Sequence, residues 1–529
     1  MTWDYIVVGA GSAGCVIAAR LSENPAHKVL LLNAGYGGLD RTPFVTAPAA
    51  AYYTSHNPVF DWNHRTEQDA SSASRAPIIH NGKITGGGGA INGMMFIRGS
   101  AGDFDEWAEL GNEGWSYRDV LPFFRKMEHT PMGSDEFHGR DGPVGVDYPD
   151  PLLDVTHRFI EAATEAGIPY NSDINGATNE GVTRTPSSIF NGVRQSTAQT
   201  YLHPALKRRN LKILSGASVH RVLFDGKDAI GVEYRKSGKI RKALAAKETI
   251  LCAGGVKSPQ ILMLSGVGPE QTLRDVGIPV VHPLEGVGQN YMDHASVRLM
   301  YSVTLPTWSK EMVPHRQAMH GLNWLFRRKG LARSGVSQAV AFVRTDKTLP
   351  YPDVQISLLP LAVPVAAGRG KNMMMLWANE CKPTGRGTLT LSSADPEAPP
   401  KITPSLLSGN QSIDTIIKGI RIARGIMEAG AIRPYVLDEA LPGREVQTDA
   451  EMERWIRETA LSMCHQSGTC KMGQDEAAVV DARLRVRGVG RLRIADASIM
   501  PTIPSGNINA PTIMIGEKAA AMILEDAAG

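Results

Sequence analysis

Cysteine is scarce in this chain. Cys15, Cys252, Cys381, Cys464 and Cys470 are the only five in 529 residues, an odd number with no Cys-x-x-Cys pair. That scarcity excludes a disulfide-built scaffold and fits a reducing compartment, read here as the cytoplasm. Cys464 and Cys470 flank His465, but the matching second ligand pair is missing, so no metal site is expected. No run of about 18 apolar residues occurs, which excludes a spanning helix. A basic leader is also lacking: the first apolar stretch runs straight into a glycine motif and reads as a buried strand, not a signal peptide. Charge of one sign is not in excess. Lys and Arg number 56 against 53 Asp and Glu, a net +3 that argues against an extended nucleic-acid surface. Internal repeats and low-complexity tracts are absent. The length exceeds what one hydrophobic core serves, so two domains or one large composite are expected.

Glycine, by contrast, is plentiful and clustered. Residues 4–14, DYIVVGAGSAG, carry Gly9-x-Gly11-x-x-Gly14. Tyr5–Val8 reads as a strand buried in a parallel sheet, Ala13 to Leu21 as the following helix, and Lys28–Leu32 as the next strand. In that context Gly9 permits a tight turn, Gly11 lets the backbone approach a pyrophosphate, and Gly14 lets helix pack on strand. Ser12 and Ala13 open the helix, whose free N–H groups face the phosphates. An acidic residue is expected at the end of the second strand to hold a ribose hydroxyl; Asn33 stands there, followed by Ala34. No basic residue for a 2′-phosphate is present, which disfavours NADP.

A second cluster, NGKITGGGGAINGMMFIRG at 81–99, has four consecutive glycines, Gly86–Gly89, flanked by Ile84, Ile91, Met94, Met95 and Phe96. The apolar flanks favour backbone lying flat on a cofactor over a loop in water. AGGVKSPQILMLSGVG at 253–268 contains a short apolar helix, Pro259–Leu264. EGVGQNYMDH occupies 285–294. Near the C-terminus stand HQSGTCKMG at 465–473 and GNINAPTIMIGEK at 506–518.

In their kind and order these elements resemble the glucose–methanol–choline (GMC) family of oxidoreductases over the full chain. The resemblance implies a Rossmann-like α/β FAD-binding domain (1–149, 206–298 and 456–529). It also implies a discontinuous α+β substrate domain (150–205 and 299–455), an antiparallel sheet flanked by helices. Gly9, Gly11 and Gly14 would hold the pyrophosphate and Asn33 and Ala34 would lie by the ribose. Gly86, Gly87, Asn92, Gly93 and Met94 would line the flavin, and Val219 would meet the adenine. Ala253, Asp496 and Ala497 would complete the cofactor site, with Asn507, Ala510 and Thr512 closing over the pyrimidine side. The chain departs from the family pattern at Asn33, Thr85, Gly88, Gly89, Gly255 and Tyr291. Ile91 stands where some members link a histidine to FAD, so FAD is expected without a covalent bond.

Alcohol oxidation needs a base for the hydroxyl proton and an acceptor for the hydride, here flavin N5. His465 matches the family's active-site histidine, and Asn507 matches a His-or-Asn partner position. Asn509 is a near neighbour; counting back from Lys518 favours Asn507. In the motif-poor remainder, Tyr301, Val303 and Pro352–Leu359 read as strands, and Ile413–Met427 as an amphipathic helix capped by Ser412. Gln338 stands where relatives that oxidise quaternary amines carry Glu. An uncharged substituent there disfavours choline and suggests an uncharged primary alcohol, with Met95, Phe96 and the loop of Trp62 walling an apolar pocket. A structural reading, in which Gln338 only bonds backbone, stays open. Electrons would pass to oxygen or a quinone-type acceptor. The competing reading is a hydroxynitrile-lyase-like enzyme whose FAD is not redox active.

Overall fold

The computed structural model describes residues 2–362, 365–409 and 411–528. The first glycine motif lies where the sequence puts it: strand Thr2–Val8, helix Ser12–Leu21, strand Val29–Asn33. These two strands are parallel, with Val7 facing Leu31, and on its other side Val7 faces Ile250 of Lys239–Leu251. The full order is Leu211–Ser215, Val29–Asn33, Thr2–Val8, Lys239–Leu251, Asp228–Lys236, Ala217–Asp225, and Leu492–Ile494 adds in parallel to the end of Lys239–Leu251. The centre of the parallel sheet is apolar because both its faces are covered: Ile6, Val7, Leu30 and Leu31 are all buried.

The second sheet is antiparallel, in the order Val436–Leu441, Ala295–Val303, Met373–Glu380, Val354–Leu359, Ala339–Val343, Gly181–Arg184. Leu461–Ser462 pairs with the start of Ala295–Val303. Side chains alternate across it. Val297, Leu299, Tyr301, Val354, Ile356, Leu358, Met374 and Leu376 enter one core with helices Asp154–Glu165 and Ser412–Glu428. The opposite face carries Arg298, Gln355, Leu359 and Trp377. The architecture is the expected mixed one, a parallel-rich sheet beside an antiparallel sheet. Among the described residues no helix is long and apolar enough to cross a membrane.

Two helix boundaries differ from expectation. The apolar helix begins at Gly254, not Pro259. Asp496 accepts the Gly254 N–H (2.8 Å), so a distant carboxylate supplies the start that the local sequence does not advertise. Ser412 lies inside its helix, and Gln411 takes the cap position without a side-chain hydrogen bond.

The last helix, Asn509–Ala528, packs along the first. Its Glu517 side chain is fully buried and accepts from Arg20 Nη2 (2.7 Å) and Tyr201 Oη (2.7 Å), with Lys126 Nζ at 3.1 Å. Burial alone would raise the Glu517 pKa; the Arg20 pair overrides it and leaves it below the ordinary value. Removing one partner of such a buried pair is costly. Glu517→Ala is expected to lose about 3–5 kcal/mol, read as a lower urea midpoint with earlier flavin release. The parent should hold this contribution above the ordinary glutamate pKa and lose it as pH falls through the depressed one. An unchanged midpoint would show that the two helices are held by apolar packing alone.

Candidate active site

One cavity of about 1210 Å³ runs between the sheets and is lined by most of the residues singled out above. It exceeds the roughly 300–1,000 Å³ of a drug-sized ligand pocket and has room for a dinucleotide and a second molecule. Gly9, Gly11, Ser12, Ala13, Asn33, Ala34, Val219, Ala253, Asp496 and Ala497 line it, as do Gly87, Asn92, Gly93, Met94, Met95, Thr512, His465 and Asn507.

The fit to FAD rests on three helices that begin in the cavity wall, at Ser12, Gly254 and Asn509. The starts at Ser12 and Asn509 leave N–H groups and the positive ends of two helix dipoles at the cavity, which suits a pyrophosphate, while the Gly254 start is capped by Asp496. Ser12 Oγ donates to Asn509 Oδ1 (2.7 Å), so two of the three starts are tied directly. The approach is close: a Cβ on Gly14 would lie 1.9 Å from the Gly9 carbonyl oxygen. One departure from the family pattern has the same cause. A Cβ on Gly255 would lie 2.4 Å from the Gln466 carbonyl oxygen, so only glycine admits the His465 loop that closely.

Two further departures meet each other. Asn33 Nδ2 lies 3.4 Å from Thr85 Oγ1 and 3.3 Å from the Gly35 carbonyl oxygen. The amide nitrogen is used inside the protein, which leaves the amide oxygen as the acceptor for a ribose hydroxyl. The glycine turn at 86–92 has its own clamp, which sequence reading missed. Buried Arg194 donates to Asn92 Oδ1 (2.8 Å) and to the carbonyls of Asn92 (2.8 Å), Gly89 (3.2 Å) and Val45 (2.9 Å). No motif marks Arg194, because its partners, three carbonyls and the Asn92 side chain, lie about a hundred residues or more away.

Several expected residues do not reach the cavity. Gly14 is at the helix–strand contact, and Gly86 lies behind the turn, its N–H on the Ala10 carbonyl (2.7 Å). Ala510 is buried in the first core. Phe96 points away from Met95 into that core, with its backbone fixed by Pro186 and Asn175. The substrate role for Gln338 is corrected outright. Its Oε1 accepts from Thr156 Oγ1 (2.7 Å) and the Leu153 N–H (3.1 Å), and its Nε2 donates to the Pro151 carbonyl (2.8 Å). It is a buried staple between strand and helix, and its neutrality says nothing about substrate charge. Trp62 does line the cavity, but between Lys83 and Lys257, each with its ammonium within 5 Å of the ring centre (4.7 and 4.5 Å).

The chemistry gathers at His465. Its Nδ1 lies 2.9 Å from Nδ1 of His294, whose Nε2 lies 3.1 Å from the Cys381 carbonyl oxygen. A carbonyl only accepts, so His294 Nε2 carries the hydrogen. Burial pushes His294 down to about 4, so its ring is neutral and its Nδ1 must accept. His465 Nδ1 therefore donates, and His465 Nε2 is left with its lone pair. Burial and the neighbouring His294 hold His465 well below its ordinary pKa. Asn507 Nδ2 donates to that Nε2 (3.2 Å), while Gln355 Nε2 lies 3.4 Å from Asn507 Oδ1. Asn509 is engaged with Ser12 and takes no part. The His465 N–H donates to Asp293 Oδ1 (2.8 Å), and the other carboxylate oxygen accepts from Ser462 Oγ. Asp293 and His294 were visible in the 285–294 motif, but nothing in the sequence showed which histidine they face.

The network predicts one tautomer. In ¹⁵N-histidine NMR, His465 should stay neutral with the proton on Nδ1 between about pH 5 and 8, its depressed pKa keeping imidazolium out of that window. His294→Leu removes the acceptor and should yield mixed tautomers. A fixed Nε2–H form in the parent would invert the assignment.

The chain matches the GMC oxidoreductase family over residues 3–296 and again over 383–516. It is 41% identical over 530 residues to the oxygen-dependent choline dehydrogenase of Vibrio vulnificus (strain YJ016), covering 99% of this chain and 94% of the relative. Identity to the mitochondrial choline dehydrogenase of Homo sapiens is 40%, with 98% and 89% covered. The crystal structure of pyridoxine 4-oxidase from Mesorbium loti superposes with a TM-score of 0.89 at 29% identity, covering 98% of this chain and 99% of that one. With both family segments matched and its relatives aligned from end to end, the chain belongs to the GMC oxidoreductases, a family that uses FAD.

Proposed function

We propose that this protein oxidises a primary alcohol without a cationic head group to the aldehyde, with His465 as the base and Asn507 as the positioning partner. One observation carries the reading: the unprotonated Nε2 of His465 and the Nδ2 of Asn507 that donates to it stand 3.2 Å apart on the wall of the cavity that the glycine turn lines. A substrate hydroxyl entering between them accepts from Asn507 and presents its proton to His465. FAD bound along the glycine turn supplies the hydride acceptor. Met95, Leu359, Leu361 and Met463 line the same cavity and would give the substrate apolar walls.

Choline is in the names of the two curated relatives above, yet the cavity offers it little. Asp496 is the only carboxylate among the described lining residues, and it already accepts from the Gly254 N–H, Ser258 Oγ and the Ser498 N–H. We also propose that residues 1–149, 206–298 and 456–529 serve the cofactor, that 150–205 and 299–455 serve the substrate, and that FAD is held without a covalent bond.

Anaerobic mixing of the yellow protein with primary alcohols should bleach the flavin, and admitting air separates an oxygen-using enzyme from one that needs another acceptor. His465→Ala should slow bleaching by about 10²–10⁴-fold, the usual worth of a general base, while flavin content stays unchanged. A variant bleached as fast as the parent removes His465 from the mechanism. In a separate test, acid precipitation should leave all flavin in the supernatant; a yellow pellet would show a covalent link.

A further inference from the structure

One helix turns its apolar side outward. Pro314–Arg327 places Ala318, Met319, Leu322, Leu325 and Phe326 within an arc of about 120°, at ~100° per residue, shared only with His315. In a globular protein such a stripe ordinarily meets the core. Here it faces solvent: Met319 is 55% exposed, Leu322 56%, Leu325 46% and Phe326 78%. The other side of the helix fixes this pose. Trp324 is buried in a cluster with Ala47 and Ala332, and its Nε1 donates to the Gly192 carbonyl (2.7 Å).

The charge around the stripe has one sign. Between Trp308 and Arg333 stand six Lys and Arg residues against a single carboxylate, Glu311. Glu311 pairs with Arg316, and Asp150 pairs with Arg333. Arg327, Arg328 and Lys329 follow Phe326 directly, and all three are exposed. Apolar side chains ending in a basic cluster match a surface that offers hydrocarbon beneath negative headgroups. A second copy of this chain matches less well, because two such faces bring like charges together. The cavity opens beside this helix. Tyr53 Oη donates to Gln317 Oε1 (2.9 Å), and its exposed neighbour Tyr52 lines the cavity. Exposed tyrosines suit the headgroup level, one end apolar and the other wet.

We propose that this face docks the protein on a bilayer surface rich in anionic phospholipid. Met319, Leu322, Leu325 and Phe326 enter the acyl boundary, and Arg327 and Lys329 lie among the headgroups. Arg328 serves mainly the helix itself, since its guanidinium carbon lies 3.8 Å from the Trp324 ring centre. In that pose the cavity mouth at Tyr52 lies close to the lipid surface, and apolar molecules dissolved in the bilayer can enter it from there. Docking of this kind is independent of the reaction proposed above.

The test reads co-sedimentation of the yellow holoenzyme with vesicles. Vesicles of phosphatidylcholine mixed equally with phosphatidylglycerol should bind it at least about tenfold more tightly than phosphatidylcholine alone, and added salt should shrink the difference. Leu322→Ser combined with Phe326→Ser should cut binding to the mixed vesicles by at least about tenfold. Arg327→Gln combined with Lys329→Gln should erase the preference for the anionic lipid. All four positions are exposed, so both variants should keep the flavin content and urea midpoint of the parent. Absence of binding, or equal binding to the two vesicles, overturns the proposal. So does undiminished binding by the serine variant, or a lipid preference that survives the glutamine variant. If the parent instead dimerises without binding vesicles and the serine variant is a monomer, a second copy covers the face and the proposal fails.

Discussion

The seam between the first helix and the last is the constraint on which the rest depends. Ser12 and Asn509, 497 residues apart, share a hydrogen bond at the cavity, and Arg20 and Glu517 share a buried ion pair further along. The nucleotide motif is local and would form its turn in many contexts. The histidine loop and Asn507 belong to the C-terminal segment, and this seam joins that segment to the nucleotide motif at the cavity. Three helix starts then share the wall of one cavity, which no single segment could arrange.

Within that frame the two histidines form a polar chain with little freedom. Each ring nitrogen has one neighbour: Cys381 carbonyl, His294, His465, then Asn507. Fixing the direction of the first bond fixes the others, because a neutral imidazole has one donor and one acceptor. Burial supplies the neutrality. A base pressed below its ordinary pKa is always ready but accepts a proton only weakly. In the proposed reaction that favours loss of the hydroxyl proton together with departure of the hydride, when the carbinol oxygen most readily gives it up. Asp293 holds the His465 backbone from behind, its own carboxyl pushed up to about 6 by burial against the bonds from Ser462 and His465.

Much of this was legible in the linear sequence. Tyr5–Val8, the glycine turn and its helix have a local signature; the helix and second strand lie within one residue of their expected limits, and the first strand starts three residues earlier, at Thr2. Asn507 could be told from Asn509 by counting, and the structure engages Asn509 elsewhere. Side-chain direction was less legible. Gln338 lies just before strand Ala339–Val343, where one step of register decides between cavity and staple. Phe96 and Met95 face opposite ways for the same reason. Arg194 and Gln355 carry no motif, since their partners come from distant segments. The helix start at Gly254 was hidden because its cap, Asp496, is 242 residues away.

The departures from the family pattern are coherent when read as contacts. Thr85 and Asn33 share a hydrogen bond, so a hydroxyl at one position answers an amide at the other. Gly255 clears the Gln466 carbonyl and so lets the histidine loop reach its place. The same close packing buries His465, and burial together with the neighbouring His294 keeps its ring uncharged, so the loop position that Gly255 permits and the protonation state of the base have one cause.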